Sequence, residues 1–259
     1  MISVVMAYYN RKQHLINTLW SMMKSTYKNF EVIVVDDASD DNNRIEDLTS
    51  QFDFLKIIRI DNKDKNHYNP CIPMNIAMGY TKGDVIMIQN PECFHYDDIF
   101  QHANNNISKN TYLAYSTINK NIVNVLKEIN WNNNYFSEIN RLVGDDIKNG
   151  VWYCHSKFRP KALNFCTVIM RSDLIDLNGF DERYAFGVAC DDDEFLIRIK
   201  RKKMNIVIVD DILTIHQSHN PFCYIQKNAG ILRNINGALL AKTETETIIK
   251  ANSNKTIIK

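Results

Sequence analysis

The arrangement of short Val- and Ile-rich runs in the first hundred residues restricts the fold more than any other feature. These runs cover residues 2–7, 31–35, 55–60 and 85–88. A helical pattern follows the first run, because Leu15, Leu19 and Met22 recur at spacings of four and three. Nearly continuous apolar strands separated by helices are typical of a parallel sheet that is buried on both faces. The sequence therefore predicts an α/β fold with a mostly parallel central sheet flanked by helices.

Polar residues follow the first, second and fourth runs, at the points where the strands should end. They occupy residues 8–10, 36–37 and 89–92. In open α/β sheets ligands bind at the carboxyl ends of the strands, so we expect a binding site there. A carboxylate such as Asp37 can accept hydrogen bonds from a nucleobase N–H or a ribose hydroxyl. The same acids also suit a helix cap or a turn, and both interpretations stay open.

The second half of the chain has a less regular pattern. Strands are predicted at residues 112–116, 122–125, 165–170, 206–209 and 212–215, and a helix at residues 194–203. We expect these elements to include a small antiparallel part of the sheet. No repeat or Gly/Ser-rich linker divides the chain, so residues 1–240 are predicted to form one domain. Residues 241–259 are polar and are expected to fray.

Charge and hydropathy argue against several classes of protein. The net charge is +1, from 31 Lys and Arg against 30 Asp and Glu, which gives no support for a nucleic-acid-binding protein. No run of about 18 apolar residues is present, and the start lacks the basic region of a signal peptide. We therefore expect a cytoplasmic protein without a transmembrane segment, with association at a membrane surface left open. The six cysteines form no Cys-x-x-Cys pair, which favours free thiols.

Four consecutive acids, Asp191, Asp192, Asp193 and Glu194, precede a helical pattern. Such a run is compatible with an acid-rich first helical turn, whose dipole offsets part of the charge repulsion. It is also compatible with a carboxylate held where it can take a proton from a ligand hydroxyl. The lead-in contains Phe186 next to a glycine, which is unlike an ordinary exposed helix start and favours the second interpretation.

Two histidines and one isolated acid are candidate metal ligands. His216 and His219 are three residues apart, and both can face one ion only on a helical turn or a bent loop. Glu92 alone is a poor metal site, because hard cations require several oxygen ligands. His-Glu-x-x-His, Gly-x-Ser-x-Gly, P-loop and Gly-x-Gly-x-x-Gly motifs are absent from the sequence, which disfavours metalloproteases, serine hydrolases, NTPases and dehydrogenases.

Several of these segments together resemble a known family. Residues 3–11, 31–40 and 69–84 resemble the first strand and loop, the nucleotide-contacting strand and the helix before the metal-binding strand of family-2-type glycosyltransferases. Residues 178–184 and 191–195 resemble the Asn-Gly-Phe…Glu-Asp-Asp signature of β-1,4-galactosyltransferases. The resemblance implies a GT-A (Rossmann-like) fold, with residues 1–100 as the nucleotide-binding half and 101–240 as the acceptor and catalytic half.

The resemblance also implies roles for individual residues. The implied nucleotide-sugar site consists of Ala7, Tyr8, Tyr9, Asp37, Asn90 and Trp152. The implied catalytic group is Asp192 as general base, with Asp191 and Glu194 holding sugar hydroxyls. The implied ligands of Mn²⁺ or Mg²⁺ are Glu92 and one of His216 and His219. Tyr153 and Phe186 are further candidates for stacking on a sugar, and core packing is the alternative for Trp152 and Tyr153.

The implied reaction is sugar transfer with inversion from a nucleotide-diphosphate sugar, most commonly a UDP-sugar in this family, to an acceptor hydroxyl. The acceptor is a glycan, a lipid-linked sugar or a protein. The chain departs from the family where Asp-x-Asp is expected, since only Glu92 remains there. A phosphate-side Arg is also missing, with His67 or Arg59 as possible replacements. These departures support an alternative, a nucleotide-sugar or glycan binding module with little or no turnover. A nucleotidyltransferase is disfavoured because no glycine-rich basic loop follows the first strand.

Overall fold

The computed structural model describes residues 1–127, 129–131, 139–140, 150–219 and 228–258. The first part of the chain forms β1 (Ile2–Tyr8), α1 (Lys12–Met23), β2 (Phe30–Asp37), β3 (Leu55–Ile60), α2 (Cys71–Gly79) and β4 (Val85–Gln89). All four strands that the apolar runs predict are present. They are parallel and lie in the order β3-β2-β1-β4. Two short 3₁₀ helices, Asp41–Asn43 and Glu46–Ser50, connect β2 to β3.

The rest of the described chain extends this sheet. Its elements are β5 (Cys93–His95), α3 (Ile99–Asn106), β6 (Thr111–Lys120), α4 (Val123–Lys127), β7 (Val151–Cys154), β8 (Cys166–Met170), α5 (Arg171–Leu177), α6 (Asp191–Arg201), β9 (Asn205–Gln217) and α7 (Ala229–Thr245). Eight of the nine described strands follow the order β3-β2-β1-β4-β8-β6-β9-β5, and the ninth, β7, pairs with β6. Antiparallel pairing begins at β4–β8, whereas β6 and β9 are parallel. The predicted α/β class is confirmed.

Alternate residues of the parallel strands pack on opposite faces of the sheet. Val5 and Ile33 join one buried cluster with α2, whereas Val4 and Val32 join another with α1. Successive side chains of a strand point to opposite faces, so a strand covered on both faces is apolar at every position. This burial explains the unbroken Val and Ile runs. It also fixes the positions of the loops that follow the carboxyl ends of the strands.

Two strand predictions in the second half need correction. Residues 122–125 were predicted as a strand but lie in and beside α4, where the Leu126 N–H donates to the Ile122 carbonyl at 2.9 Å and both side chains are buried. Residues 206–209 and 212–215 belong to a single strand, β9. The intervening residues form a bulge opposite β6, where the Ser116 hydroxyl donates to the Asp210 carbonyl at 3.2 Å.

The polar tail was expected to fray, but it is ordered in the structure. Residues 241–245 are the last part of α7, and the following segment packs against the turn after α5. The Asn178 side-chain amide donates to the carbonyls of Ala251 and Lys255 at 2.8 and 2.9 Å. Ala251 and Ile258 are buried. The amide contacts and these small apolar contacts hold a segment whose composition alone favours disorder.

Five of the six cysteines are free in the described part of the chain, as predicted, and Cys223 lies outside the described residues. Within the same part of the chain, no helix has the length and apolar character needed to cross a membrane.

Candidate functional site

A cavity of about 170 Å³ lies where β1, β2 and β4 end. Its lining consists of Ala7, Tyr8, Tyr9, Arg11, Asp37, Pro70, Met74, Asn90, Pro91 and Glu92. Five of the six residues that the sequence assigns to the nucleotide sugar are therefore neighbours here, together with the acid assigned to the metal. Parallel strands place their carboxyl ends at one edge of the sheet, which is why residues far apart in the chain meet there.

Asp37, the last residue of β2, is buried and contacts two side chains, a histidine and a lysine. His67 Nε2 lies 2.8 Å from Asp37 Oδ1, and Lys65 Nζ lies 2.9 Å from Oδ2. Burial acts to raise the pKa of the Asp37 carboxyl, but the His67 hydrogen bond and the Lys65 charge outweigh burial and lower it. Asp37 is consequently an ionised acceptor at neutral pH. Lys65 also lies over the Tyr9 ring, 4.1 Å from its centroid.

The residues suggested as replacements for the missing phosphate-side arginine have other partners. Arg59 Nη1 contacts Asp36 Oδ2 at 2.5 Å, and Arg59 Nη2 donates to the Ser39 carbonyl. His67 contacts Asp37, as described above. Both side chains therefore stabilise the end of β2. Asp36 is fully buried in this arrangement, so Asp37 is the acid of the pair that lines the cavity.

Glu92 lies at the centre of a buried polar cluster at the end of β4. Its Oε1 atom is 3.2 Å from His216 Nε2, 3.0 Å from His219 Nε2 and 3.0 Å from Arg11 Nη1. Burial acts to raise the pKa of Glu92, but the Arg11 charge and the hydrogen bonds from both histidines hold it well below its usual range. The other carboxylate oxygen, Oε2, is buried and has no hydrogen-bond partner among the described residues.

These three residues fit a divalent cation. One carboxylate oxygen and two imidazole nitrogens lie within 4.8 Å of one another. His216 Nδ1 lies 3.0 Å from Asn119 Oδ1, so Nδ1 can donate a proton there while Nε2 binds an ion in place of its hydrogen bond to Glu92. Ligating histidines usually donate their second N–H to such an oxygen. The unpartnered Oε2 of Glu92 and the Nε2 atoms of the two histidines are ligand atoms of the kind that a divalent ion binds.

The acid run begins α6, and its first three side chains have different partners. Asn69 Nδ2 donates to Asp191 Oδ1 at 2.8 Å, and Asn164 Nδ2 donates to Asp192 Oδ1 at 3.0 Å. Asp193 pairs with Lys161 at 2.5 Å, toward solvent. Burial and the neighbouring Asp191 charge raise the pKa of Asp192 to about 7. A carboxyl group with that pKa suits a general base at neutral pH.

Glu194 does not reach the cavity, contrary to the sugar-binding role that the resemblance implies. It is fully buried, and both of its carboxylate oxygens accept from Arg198, at 2.6 and 2.8 Å. Arg198 also donates to the carbonyls of Leu177 and Gly179. The two residues are spaced i, i+4 on α6, so their side chains lie on the same side of the helix, and both are buried. The contacts of Arg198 link this helix to the turn after α5.

Trp152 is also not part of the cavity lining. It stacks on Phe158 with ring centroids 5.5 Å apart, on the opposite face of β7 from Tyr153. The Tyr153 ring lies 4.8 Å from the His216 ring and 4.8 Å from Phe165. Strand alternation therefore brings Tyr153, the other candidate, beside the proposed metal ligands. Phe186, another candidate for stacking on a sugar, is 56 % exposed and also does not line the cavity.

Two short segments connect the acid run to the cavity. Asn69, which holds Asp191, directly precedes Pro70 of the cavity lining. Asn164, which holds Asp192, directly precedes Phe165, whose carbonyl accepts from the Asn90 N–H at 3.1 Å. The acid run is therefore connected to the cavity lining through Asn69 and Asn164.

Four of the eight non-glycine residues with left-handed backbone in the described chain lie around this site. Asn10 and Ala38, just after β1 and β2, have φ angles of 51° and 63°. Ala189 and Cys190, just before the acid run, have φ angles of 63° and 68°. Each such residue costs on the order of 1 kcal/mol, and strain of this kind is found mainly at functional sites.

Sequence reasoning missed Arg11, Lys65 and Asn164. Arg11 follows the end of β1 directly, and its position was the signal that could have identified it. Asn164 had no comparable signal, because its contact with Asp192 joins residues 28 positions apart. Lys65 lies in the loop after β3, where the sequence has two lysines, Lys63 and Lys65, and no pattern that distinguishes them.

A family model described as glycosyl transferase family 2 matches residues 3–164. The chain belongs to this family. The predicted family is therefore confirmed on the part of the chain that contains the cavity residues. The acid run and the two histidines lie beyond the end of the match.

Two uncharacterised glycosyltransferases from Rickettsia are similar over 46% of this chain. The protein from Rickettsia felis is 33% identical and that from Rickettsia conorii is 31% identical, both over 125 residues. The matched part is 20% of each relative, so this chain is similar to only a fifth of their length.

Solved structures support the GT-A glycosyltransferase fold. S. aureus TarS 1–349 in complex with UDP has a TM-score of 0.62 at 15% identity, covering 95% of this chain and 67% of that one. The mannosyltransferase PcManGT from Pyrobaculum calidifontis, in complex with GDP-Man and Mn²⁺, has a TM-score of 0.59 at 13% identity. That match covers 93% of this chain and 64% of the mannosyltransferase. At these identities the likeness establishes the fold alone.

Proposed function

We propose that this family 2 protein transfers a sugar from a nucleotide-diphosphate sugar, with a UDP-sugar as the first candidate, to an acceptor hydroxyl with inversion. The observation that carries the proposal is the connection of the Asp192 turn, through Asn164 and the Phe165 carbonyl, to Asn90 in the cavity that Asp37 and Glu92 also line. One part supplies a base, and the other supplies the features that a nucleotide and its diphosphate require.

The nucleotide would bind at the ends of β1 and β2. Asp37 is an ionised carboxylate in the cavity wall, and a base N–H is a suitable donor to it. Tyr9 and Lys65 lie against each other beside it and offer a ring face and a cation. The similar structures hold UDP in one case and GDP-mannose in the other, which supports a nucleoside diphosphate as the leaving group.

Glu92, His216 and His219 would hold a divalent ion, Mn²⁺ or Mg²⁺. Such an ion supplies Lewis-acid stabilisation of the negative charge on the departing diphosphate. Arg11 lies on the same carboxylate and lines the cavity, so it is a second positive charge available to the phosphates. Its position supports contact between Arg11 and the phosphates of the donor. Arg59 and His67 do not fill this role in the proposal, because they contact Asp36 and Asp37.

Asp192 would act on the acceptor. Its carboxylate takes the hydroxyl proton while the acceptor oxygen forms a bond to the anomeric carbon of the sugar. The bond from that carbon to the diphosphate oxygen breaks on the opposite face, and the nucleoside diphosphate leaves with the electron pair. A base positioned in this way contributes on the order of 10²–10⁴ in rate. Asp191 lies on the same turn and would hold an acceptor or donor hydroxyl.

The acceptor would be a glycan, a lipid-linked sugar or a protein hydroxyl, and transfer to each class is a separate assay. Tyr153 lies beside the candidate metal ligand His216, and we expect it to pack against the transferred sugar.

The test is turnover of a panel containing UDP-glucose, UDP-galactose, UDP-N-acetylglucosamine and GDP-mannose, with Mn²⁺, Mg²⁺ or a chelator. Slow metal-dependent hydrolysis of one donor is the expected result. Asp192→Asn should lower that rate by orders of magnitude and leave nucleotide binding in place, whereas the matched variant Asp193→Asn should retain most of it. Near-normal turnover in Asp192→Asn would remove this residue from the role of base.

A binding module without turnover is the second candidate function, and the Arg11–Glu92 contact favours it. A guanidinium 3.0 Å from Glu92 Oε1 already neutralises the one acid that remains of the family's metal motif. Thermal stabilisation by a nucleotide sugar, without hydrolysis or transfer of any donor in the panel, would support the module over the enzyme.

A further inference from the structure

Asn164 is a buried amide between two hydroxyl groups and the candidate base. It is 3 % exposed and lies in the loop before β8. Its Oδ1 accepts from the Tyr112 hydroxyl and from the Thr167 hydroxyl, the latter at 3.3 Å. Its Nδ2 donates to Asp192 Oδ1 at 3.0 Å. All of these partners lie on other elements, β6, β8 and α6, so the amide is held from three sides.

The two hydroxyls determine which end of the amide faces Asp192. With Oδ1 occupied by Tyr112 and Thr167, the NH₂ end is directed at the carboxylate. A rotation of the amide by 180° would bring its oxygen against the Asp192 carboxylate. Two acceptors facing each other in a buried position are unfavourable, so the carboxylate and the hydroxyls favour the same orientation.

The other charged groups around Asp192 act against its ionised form. Asp191 and Asp193 lie on the same helical turn and carry like charges. Lys161 is paired with Asp193 and does not contact Asp192. The Tyr112 hydroxyl, on β6, donates to Asn164 Oδ1 and not to Asp192. Among the described residues, Asn164 is the one side chain that donates a hydrogen bond to Asp192.

We propose that Asn164 is a positioning residue for the candidate base: with Tyr112 and Thr167 behind it, it fixes Asp192 Oδ1 and stabilises the ionised carboxylate. No side chain of the described residues donates to the other oxygen, Oδ2, and we assign that oxygen to take the proton from an acceptor. The backbone N–H of Asn164 also donates to the Asp192 carboxylate, and Asn164→Ala keeps this contact while it removes the side-chain donor. The proposal rests on the proposed function only in that Asp192 serves as the base.

The first measurement is the titration of Asp192 in the full chain, followed by ¹³C NMR of labelled aspartate carboxyl carbons. Asp192→Asn identifies the signal by its loss. Asn164→Ala removes the donor, and we expect the Asp192 titration to move to higher pH by about one unit, because a hydrogen bond to a charged group is worth about that much. Tyr112→Phe releases one of the two hydroxyls that orient the amide and should give a smaller shift in the same direction.

The matched control is Asn69→Ala, which removes the equivalent amide from Asp191. Asp191 then ionises less readily, so its repulsion of Asp192 weakens. We expect the Asp192 titration in this variant to move to lower pH or to stay in place. The two asparagines thus have opposite or unequal effects on one carboxyl group, which a general loosening of the fold would not produce.

The second measurement is the pH profile of hydrolysis of the best donor in the panel. The acid limb should move to higher pH in Asn164→Ala, and the rate above that limb should recover part of its loss. An unshifted Asp192 titration in a folded Asn164→Ala protein overturns the proposal, as does a rate reduced equally at every pH. If Asn164→Ala does not fold, the shift in Tyr112→Phe decides. The NMR result needs no turnover, so failure of the proposed function is distinguishable from failure of this inference.

Discussion

Replacement of Asp192 by Asn should make the folded protein more stable at alkaline pH, although it removes the candidate base. The carboxyl group has an ordinary pKa of 3.8 in the unfolded chain and a pKa of about 7 in the folded protein. The folded state therefore holds its proton over a pH range in which the unfolded state has lost it. Stability falls with rising pH wherever the folded state binds more protons.

The size of the effect follows from the two pKa values. Between pH 3.8 and pH 7, each unit of pH costs the folded state about 1.4 kcal/mol, so the penalty is about 4 kcal/mol at pH 8. Asn cannot ionise, and its side-chain oxygen can still accept from Asn164. The variant should therefore be more stable than the wild type by up to about 4 kcal/mol at pH 8. The difference should be small at pH 4 and approach zero below about pH 3, where Asp192 is protonated in both states.

Urea unfolding of the wild type and of Asp192→Asn at intervals between pH 4 and pH 8 measures this difference. Asp193→Asn is the control, since Asp193 is paired with Lys161 at the surface and should show little change. A difference that does not grow with pH, or an Asp192→Asn variant less stable than the wild type at pH 8, would refute the reasoning. The same residue would then lack the raised pKa on which its role as a base depends.

Three further predictions concern other parts of the site. Glu194→Ala leaves Arg198 buried without its partner and should lower the free energy of unfolding by about 3–5 kcal/mol, measured in urea. Glu92→Gln should remove most of the thermal stabilisation by Mn²⁺, which is about 2.7 kcal/mol at a concentration 100-fold above Kd for an intact site. Asp37→Ala should weaken UDP binding in calorimetry at least tenfold, while Mn²⁺ alone still stabilises the variant.

The parallel half of the sheet could be predicted because strands that are buried on both faces are apolar at every position. Every position of β2 from Val32 to Val35 is apolar, and Asp37, the second polar residue after this run, lines the cavity. The strand ends therefore identified both the sheet and the place of the site. Glu92 and His219, far apart in the chain, could be assigned to one cluster only through the resemblance to a family.

Contacts between distant residues determined what the sequence pattern left open. The sequence alone does not distinguish Trp152 from Tyr153 as the residue that would stack on a sugar. The pairing of β7 with β6 decides which of the two side chains lies beside His216. Glu194 resembles its three acidic neighbours until Arg198 is seen to occupy both of its oxygens. The tail after α7 is polar, yet the side chain of Asn178 supplies the hydrogen bonds that hold it.

The four acids at the start of α6 show how one helical turn gives four carboxylates different environments, and Asp192 is the one that we propose as the base. Successive residues of a helix point about 100° apart, so the four side chains have four different environments. Glu194 is neutralised inside the protein by Arg198, and Asp193 is neutralised at the surface by Lys161. Asp191 and Asp192 have amide partners and no cation among the described residues, and burial raises the pKa of both. The like charge of Asp191 thus supplies part of what makes Asp192 basic, and we expect Asp191→Asn to lower the pKa of Asp192 without removing any contact to it.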